Sequence, residues 1–130
     1  MNKEIKQKWL EALRSGEYKQ GKTRLHNTTD KTFCCLGVLC EVAIKEGVKL
    51  DTLEVDAETY GTDQPYRKYK CISYAGESTV LPDTVIAWAG LPDCNPSINK
   101  ASPNTHDSLA SINDRGVDFL AIADLIEANL

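Results

Sequence analysis

Nowhere does this sequence hold an apolar run near the ~18–20 residues that a membrane span needs. Its opening residues, Met-Asn-Lys-Glu-Ile-Lys-Gln-Lys, lack the apolar stretch of a secretory signal. A cytoplasmic chain with no membrane partner is the expectation. No glycine-rich phosphate loop is present, because Gly16, Gly21 and Gly37 do not fall at the spacing of either nucleotide fingerprint. Paired Cys-x2-Cys spacing is missing around Cys34, Cys35 and Cys40, and the two histidines, His26 and His106, stand isolated, so neither a metal nor a cofactor is expected. An even set of well-spaced cysteines is lacking too: there are five, three of them within residues 34–40. That pattern excludes a secreted disulfide scaffold and predicts free thiols in a reducing compartment. Positive charge is short as well. The net charge is −4, with +4 carried by residues 1–32 and −8 by residues 33–130. An acidic body disfavours nucleic acid as the main partner, since phosphate neutralisation supplies most non-specific affinity.

What is present fits one domain over residues 1–130, with 42% hydrophobic residues to build a core. Ile5, Trp9, Leu10, Ala12 and Leu13 predict a helix over 3–15, ended by Ser15-Gly16. Residues 17–31 read as loop, with a short extended piece around Thr23–His26. Thr32 is the expected N-cap of a second helix over 33–46, with Glu41 and Lys45 as an i,i+4 pair. Its narrow polar stripe implies burial on most sides, with Gly37 allowing close approach of a neighbour and Gly47 as the cap. Residues 48–70 read as loop with little regular structure. Lys70–Tyr74 and Ser78–Val80, on either side of Ala75-Gly76-Glu77, predict a small antiparallel hairpin. Pro82 opens a third helix that Gly90 and Pro92 stop. After a surface loop over 92–107, Leu109, Ala110 and Ile112 lead into a turn at Asn113-Asp114-Arg115-Gly116. Asp118 then caps a last helix, with Val117 and Ile122 as its hydrophobic staple. The fold expected is α+β: a helix-rich single domain of about four helices with one small antiparallel hairpin.

Candidate chemistry centres on the cysteine-bearing helix. A thiol in the first turn of a helix is acidified by the unpaired N–H groups there. Cys34 and Cys35 have that placement, and with His106 as base and Asn113 or Asp114 as orienter they make up the inventory of a cysteine hydrolase. The opposing reading is that buried cysteines behave as small hydrophobes and simply fill the core. Asn113 and Asp114 likewise have two readings: they bond their own turn, or they present polar groups beside the cysteine-bearing helix. The turn reading is preferred. Arg24, Trp88, Asn113 and Asp114 are the candidates for binding a ligand. A helix-turn-helix at residues 109–130 is disfavoured, because the segment is acidic and no recognition helix follows it.

Several blocks together resemble a family of small proteins encoded by tailed bacteriophages and prophages. They are Trp9-Leu10-x-Ala12-Leu13-Arg14-Ser15-Gly16-x-Tyr18-x-Gln20-Gly21, Phe33-Cys34-Cys35-Leu36-Gly37-Val38-Leu39-Cys40, Trp88-Ala89-Gly90-Leu91, Leu109-Ala110-x-Ile112-Asn113-Asp114-x-Gly116 and Phe119-x-x-Ile122-Ala123-Asp124-Leu125-Ile126-Glu127. The resemblance implies a setting, an accessory protein in the host bacterial cytoplasm, and carries over no activity and no site. The leading expectation is a non-enzymatic protein that binds a host protein or a small ligand, with counter-defence as one such role. The alternatives are a thiol-dependent hydrolase or transferase using Cys34 or Cys35 with His106, and a virion or assembly component.

Overall fold

The nearly all-round apolar stretch after Phe33 folds as a helix, Cys35–Lys45, and the other elements are arranged about it. The computed structural model describes residues 1–59, 66–98 and 107–130. In chain order they form α1 (Lys3–Arg14), β1 (His26–Asn27), β2 (Thr32–Phe33), α2 (Cys35–Lys45), β3 (Thr52–Thr59), β4 (Arg67–Tyr74), α3 (Asp83–Ala89), α4 (Leu109–Asp114) and α5 (Phe119–Asn129). The strands make one antiparallel sheet in the order β2-β1-β4-β3. The α+β class is as expected; among the described residues, five helices and a four-stranded sheet replace about four helices and a small hairpin.

Eight of the eleven residues of α2 are buried: Cys35 to Cys40 without a break, then Val42 and Ala43. Apolar faces of α1 (Ile5, Trp9, Leu10, Leu13) and α5 (Phe119, Ile122, Ala123, Ile126) close over it, as amphipathic helices must to bury their stripes. Polar groups in this core are matched, since an unpaired buried donor costs about 1–3 kcal/mol. The indole Nε1–H of Trp9 donates to the Cys35 carbonyl at 3.0 Å. α1 is capped by Asn2, whose side chain accepts from the Ile5 N–H, and α5 by Asp118, which accepts from Ala121.

Four expectations about local structure need correction. The N-cap of α2 is Cys34, not Thr32: its sulfur accepts from the Gly37 N–H at 3.4 Å, while Thr32 and Phe33 are drawn into β2. Residues 52–59 and 67–70, expected as loop, are strand instead, because β3 and β4 pair over eight consecutive residues from Thr52↔Tyr74 to Thr59↔Arg67. The signal for β3 is the alternation Leu53-Glu54-Val55-Asp56-Ala57-Glu58, which its acidic composition masks, strands being poor in Asp and Glu. Consequently β4 takes β3 as partner rather than Ser78–Val80; Ala75 and Gly76 still turn the chain, both at positive φ, and close it with a Tyr74–Glu77 bridge. Glu41 and Lys45 do not pair. Glu41 accepts from the Tyr74 hydroxyl at 2.6 Å, and Lys45 reaches Glu17 at 3.3 Å.

The expected close approach at Gly37 is present, and its partner is the backbone of Leu25. A Cβ on Gly37 would lie 1.8 Å from the Leu25 carbonyl oxygen, and no rotamer change could relieve that clash. The prediction is that Gly37→Ala lowers stability by about 3 kcal/mol or more. Gly47→Ala, in open space but at a φ of +92°, is expected to lose only about 1–2 kcal/mol. Urea unfolding of the two variants measures the difference, and equal losses would remove the close approach as the cause.

Candidate functional site

The residues picked out at Cys34, Cys35, Asn113 and Asp114 come together at the N-terminus of α2. Asn113 sits in the last turn of α4 with none of its surface exposed. Its Oδ1 accepts from the Cys35 N–H at 3.2 Å and from the Gln20 side chain at 3.0 Å. Its Nδ2 donates to the Gly21 carbonyl at 2.7 Å and to Asp114 Oδ1 at 3.3 Å. The amide therefore supplies, from a distant segment, the partner that a first-turn N–H of α2 lacks. Asp114, exposed, also accepts from the Thr23 N–H at 2.8 Å. That bond holds Thr23 at a φ of 73°, a left-handed conformation that a β-branched residue rarely adopts. The preferred turn reading of Asn113 is thus overturned: it ties loop 20–23 to the cysteine-bearing helix.

The thiols at this junction are sealed. Cys34 is 2% exposed and Cys35 fully buried, with its Sγ donating to the Leu109 carbonyl at 3.6 Å. Burial pushes the Cys34 thiol up to about 11, outweighing the N–H groups of Gly37 and Leu36 that favour the thiolate. It pushes Cys35 well above its ordinary value, with the neighbouring Cys34 adding to the effect. Cys40 is raised by burial as well. Desolvation thus reverses the acidification expected from a helix N-terminus. His106, the base in the hydrolase inventory, lies outside the described residues. Among those described, no group of three or more His, Cys, Asp and Glu could hold a metal ion.

Two shallow depressions open beside this junction and share Gln20. One, of about 210 Å³, is lined by Gln20, Gly21, Lys22, Asn113 and Gly116. The other, of about 350 Å³, runs between α1 and α5 past Leu13, Gly16, Tyr18, Asp118, Phe119 and Leu120. Gln20 is fixed between them, donating to Asn113 and to the Val117 carbonyl at 2.7 Å. Leu120 is 59% exposed, a large apolar side chain left open at the far end. A further hollow between α1 and α2 is crossed by Lys8–Glu46 at 2.8 Å and Lys45–Glu17, which occupy its polar groups.

Arg24 and Trp88 stand apart from these depressions. The Arg24 guanidinium donates to Tyr69 Oη and Ser78 Oγ, both at 3.0 Å, and lies 5.9 Å from the Tyr69 ring centre. Trp88 is partly buried against the main core. His26, isolated in sequence, is joined by the fold to a polar chain. Its ring stacks on Phe33, its Nδ1 is 3.5 Å from the Tyr74 hydroxyl, and that hydroxyl donates to Glu41. Burial lowers the His26 pKa against the pull of Glu41 and Glu54. Nothing in the spacing of residues 26, 41 and 74 signals this chain, because they come from three different elements.

A family model described as “Domain of unknown function (DUF8296)” matches residues 1–130. No curated protein and no solved structure matches the chain.

The Asn113 junction predicts a pH-dependent defect for Asn113→Asp. A carboxyl there would be fully buried, facing the Gly21 carbonyl and Asp114, so its folded-state pKa is raised above the ~3.9 of the unfolded chain. Relative to the native chain, the variant should lose about 3 kcal/mol or more at pH 7.5. The deficit should shrink as pH falls through the raised value towards ~4, where the neutral acid can donate to Gly21. Urea midpoints of both proteins across that range test it; a deficit independent of pH would contradict the geometry.

Proposed function

We propose that this chain, which belongs to the DUF8296 family, is a non-enzymatic binding protein that takes a short host-protein segment or a small ligand into the paired depressions about Gln20. The observation that carries the reading is that Gln20 is locked between two adjoining hollows, one polar and one ending in the exposed Leu120. Concave surface with a few oriented polar groups is what ligand sites are built from. The sealed thiols support the same reading. Nucleophilic thiol chemistry needs an accessible thiolate, and four of the five cysteines are buried while the fifth, Cys94, is exposed.

The setting belongs to the same proposal: an accessory protein encoded by a tailed phage or prophage, acting in the host bacterial cytoplasm, with counter-defence as one such role. In its support, the blocks that carry the phage resemblance supply much of the lining. Leu13-Arg14-Ser15-Gly16, Tyr18, Gln20-Gly21, Asn113, Gly116 and Phe119 all border the two hollows. Among the described residues no helix is long and apolar enough to cross a membrane. Free cysteines in every described position suit a reducing compartment.

Two measurements bear on this. In the native protein, iodoacetamide at pH 6 to 8 should label Cys94 alone, with Cys34, Cys35, Cys40 and Cys71 reacting only in urea. Rapid labelling of Cys34 or Cys35 in the folded chain would favour a thiol-dependent enzyme instead. For binding, capture from host lysate and a metabolite thermal-shift screen should yield a ligand whose affinity falls about tenfold in Leu120→Asp, a loss of about 1.4 kcal/mol. The folded stability of that variant should stay within about 0.5 kcal/mol of the native chain, since the side chain is exposed. Two empty screens, or a ligand indifferent to Leu120→Asp, would sink the proposal.

A further inference from the structure

β3 is the outer strand of the sheet and has β4 as its only sheet neighbour among the described residues. The phase of their ladder follows from one bond. The Ala75 N–H donates to the Asp51 carbonyl at 2.7 Å, one step beyond the first register pair, Thr52↔Tyr74. Hydrogen-bonded and non-hydrogen-bonded pairs alternate in an antiparallel ladder. Leu53, Val55 and Ala57 therefore bond inward to β4, and the backbone groups of Thr52, Glu54 and Asp56 point outward. The other flank of β4 gives the same phase. Lys70, which faces Asp56, directs its carbonyl to the Thr28 N–H at 2.9 Å and its N–H to Thr29 Oγ1 at 2.8 Å, away from β3. Among the described residues nothing meets the outward backbone groups of Thr52, Glu54 and Asp56.

Of the usual protections of an edge, charged side chains are present here, while bulge, Pro and Lys are missing. β3 pairs over eight residues without a bulge and contains no Pro, Lys or Gly. What remains is side-chain chemistry. Glu54, Asp56 and Glu58 form a row on one face, while Leu53, 66% exposed, and the partly buried Val55 lie on the other. Lys70 stands 3.9 Å from both Glu54 and Asp56, and Lys68 lies opposite Glu58 in the register, so the three carboxylates outnumber the two facing cations and the row keeps a small negative excess. A second copy added antiparallel would set carboxylate against carboxylate, and like charges directly opposite are destabilising. A basic strand would meet opposite charges at the same positions.

We propose that the β3 edge receives an extended, basic segment of a partner polypeptide, which adds antiparallel as a further strand of the sheet. Its backbone bonds to Thr52, Glu54 and Asp56, its Lys or Arg side chains lie along the acidic row, and its alternate apolar side chains cover Leu53 and Val55. This surface is separate from the depressions about Gln20, and either reading stands if the other fails.

The test uses the full-length, ¹⁵N-labelled protein and an acetylated eight-residue peptide of alternating Lys and Val. Binding should shift the amide signals of Thr52, Glu54 and Asp56 and weaken as salt rises. A Glu-Val peptide should not bind, and a block-shuffled Lys/Val peptide should bind at least about tenfold more weakly. N-methylation of the lysine amides, which face β3 in this register, should abolish binding, whereas N-methylation of the valine amides should spare it. Asp56→Pro removes an outward N–H and leaves the β4 ladder intact, so it should weaken binding at least about tenfold. Glu54→Gln combined with Asp56→Asn should weaken it about three- to tenfold. The peptide series needs no variant and decides the matter even if Asp56→Pro fails to fold. No binding at millimolar peptide, equal binding of the Glu-Val peptide, or indifference to lysine N-methylation would overturn the proposal.

Discussion

The contact between Gly37 and the Leu25 carbonyl is the constraint on which the rest of the architecture hangs. With no side chain at residue 37, the backbone of the preceding loop can lie directly on α2, and the space a Cβ would need is already filled. Leu25 is held there from both sides. Its carbonyl accepts from the Cys34 N–H at 3.3 Å, and its own N–H donates to the Ser78 carbonyl at 2.8 Å. One glycine thereby joins the helical layer, through α2, to the sheet, through the chain that enters β1 and the turn that leaves β4. Packing at that density leaves little room for adjustment, which is why a single methyl group matters there.

Around this contact the polar chemistry is almost wholly structural. Asn113 uses both its oxygen and its nitrogen on protein groups, and the thiols of Cys34, Cys35 and Cys40 face the interior. Burial and hydrogen bonding there make a specified core rather than a reactive cleft, since desolvation disfavours the thiolate. On the proposed reading, recognition falls to the surface. There the molecule offers two unlike features: hollows anchored on Gln20, and an acidic strand edge whose outward backbone groups meet no partner among the described residues. The first suits a compact or amphipathic group, the second an extended basic chain. Both draw rigidity from the core beneath, α1 and α5 in one case and β4 in the other.

Much of this was legible in the residues before any coordinates. The apolar run over 33–44 announces a helix buried on most sides, Gly37 a close approach, Asp118 a cap, and the odd, clustered cysteines a set of free thiols. What misled was composition set against pattern. β3 alternates cleanly with period two, yet Asp and Glu make it read as loop. Thr32 has the better cap chemistry, but β-bridging to Asn27 takes it into the sheet and leaves the weaker sulfur of Cys34 at the cap. In each case a local preference was overridden by a partner far along the chain.

Local residue patterns set the α+β class, the central place of α2, the positions of most helices and the clustering of the thiols. Those depend on periodicity, turn residues and glycine, which act over a few neighbouring residues. Tertiary structure alone decided that Asn113 would serve Cys35 and Gly21 rather than its own turn, that His26 would meet Tyr74, and that burial would raise the thiols a helix N-terminus should acidify. It also decided that β3 would have β4 as its one sheet neighbour among the described residues. Each of these turns on which groups are removed from water and which backbone bonds are left unmade. Both depend on what lies opposite in space, which spacing along the chain does not record.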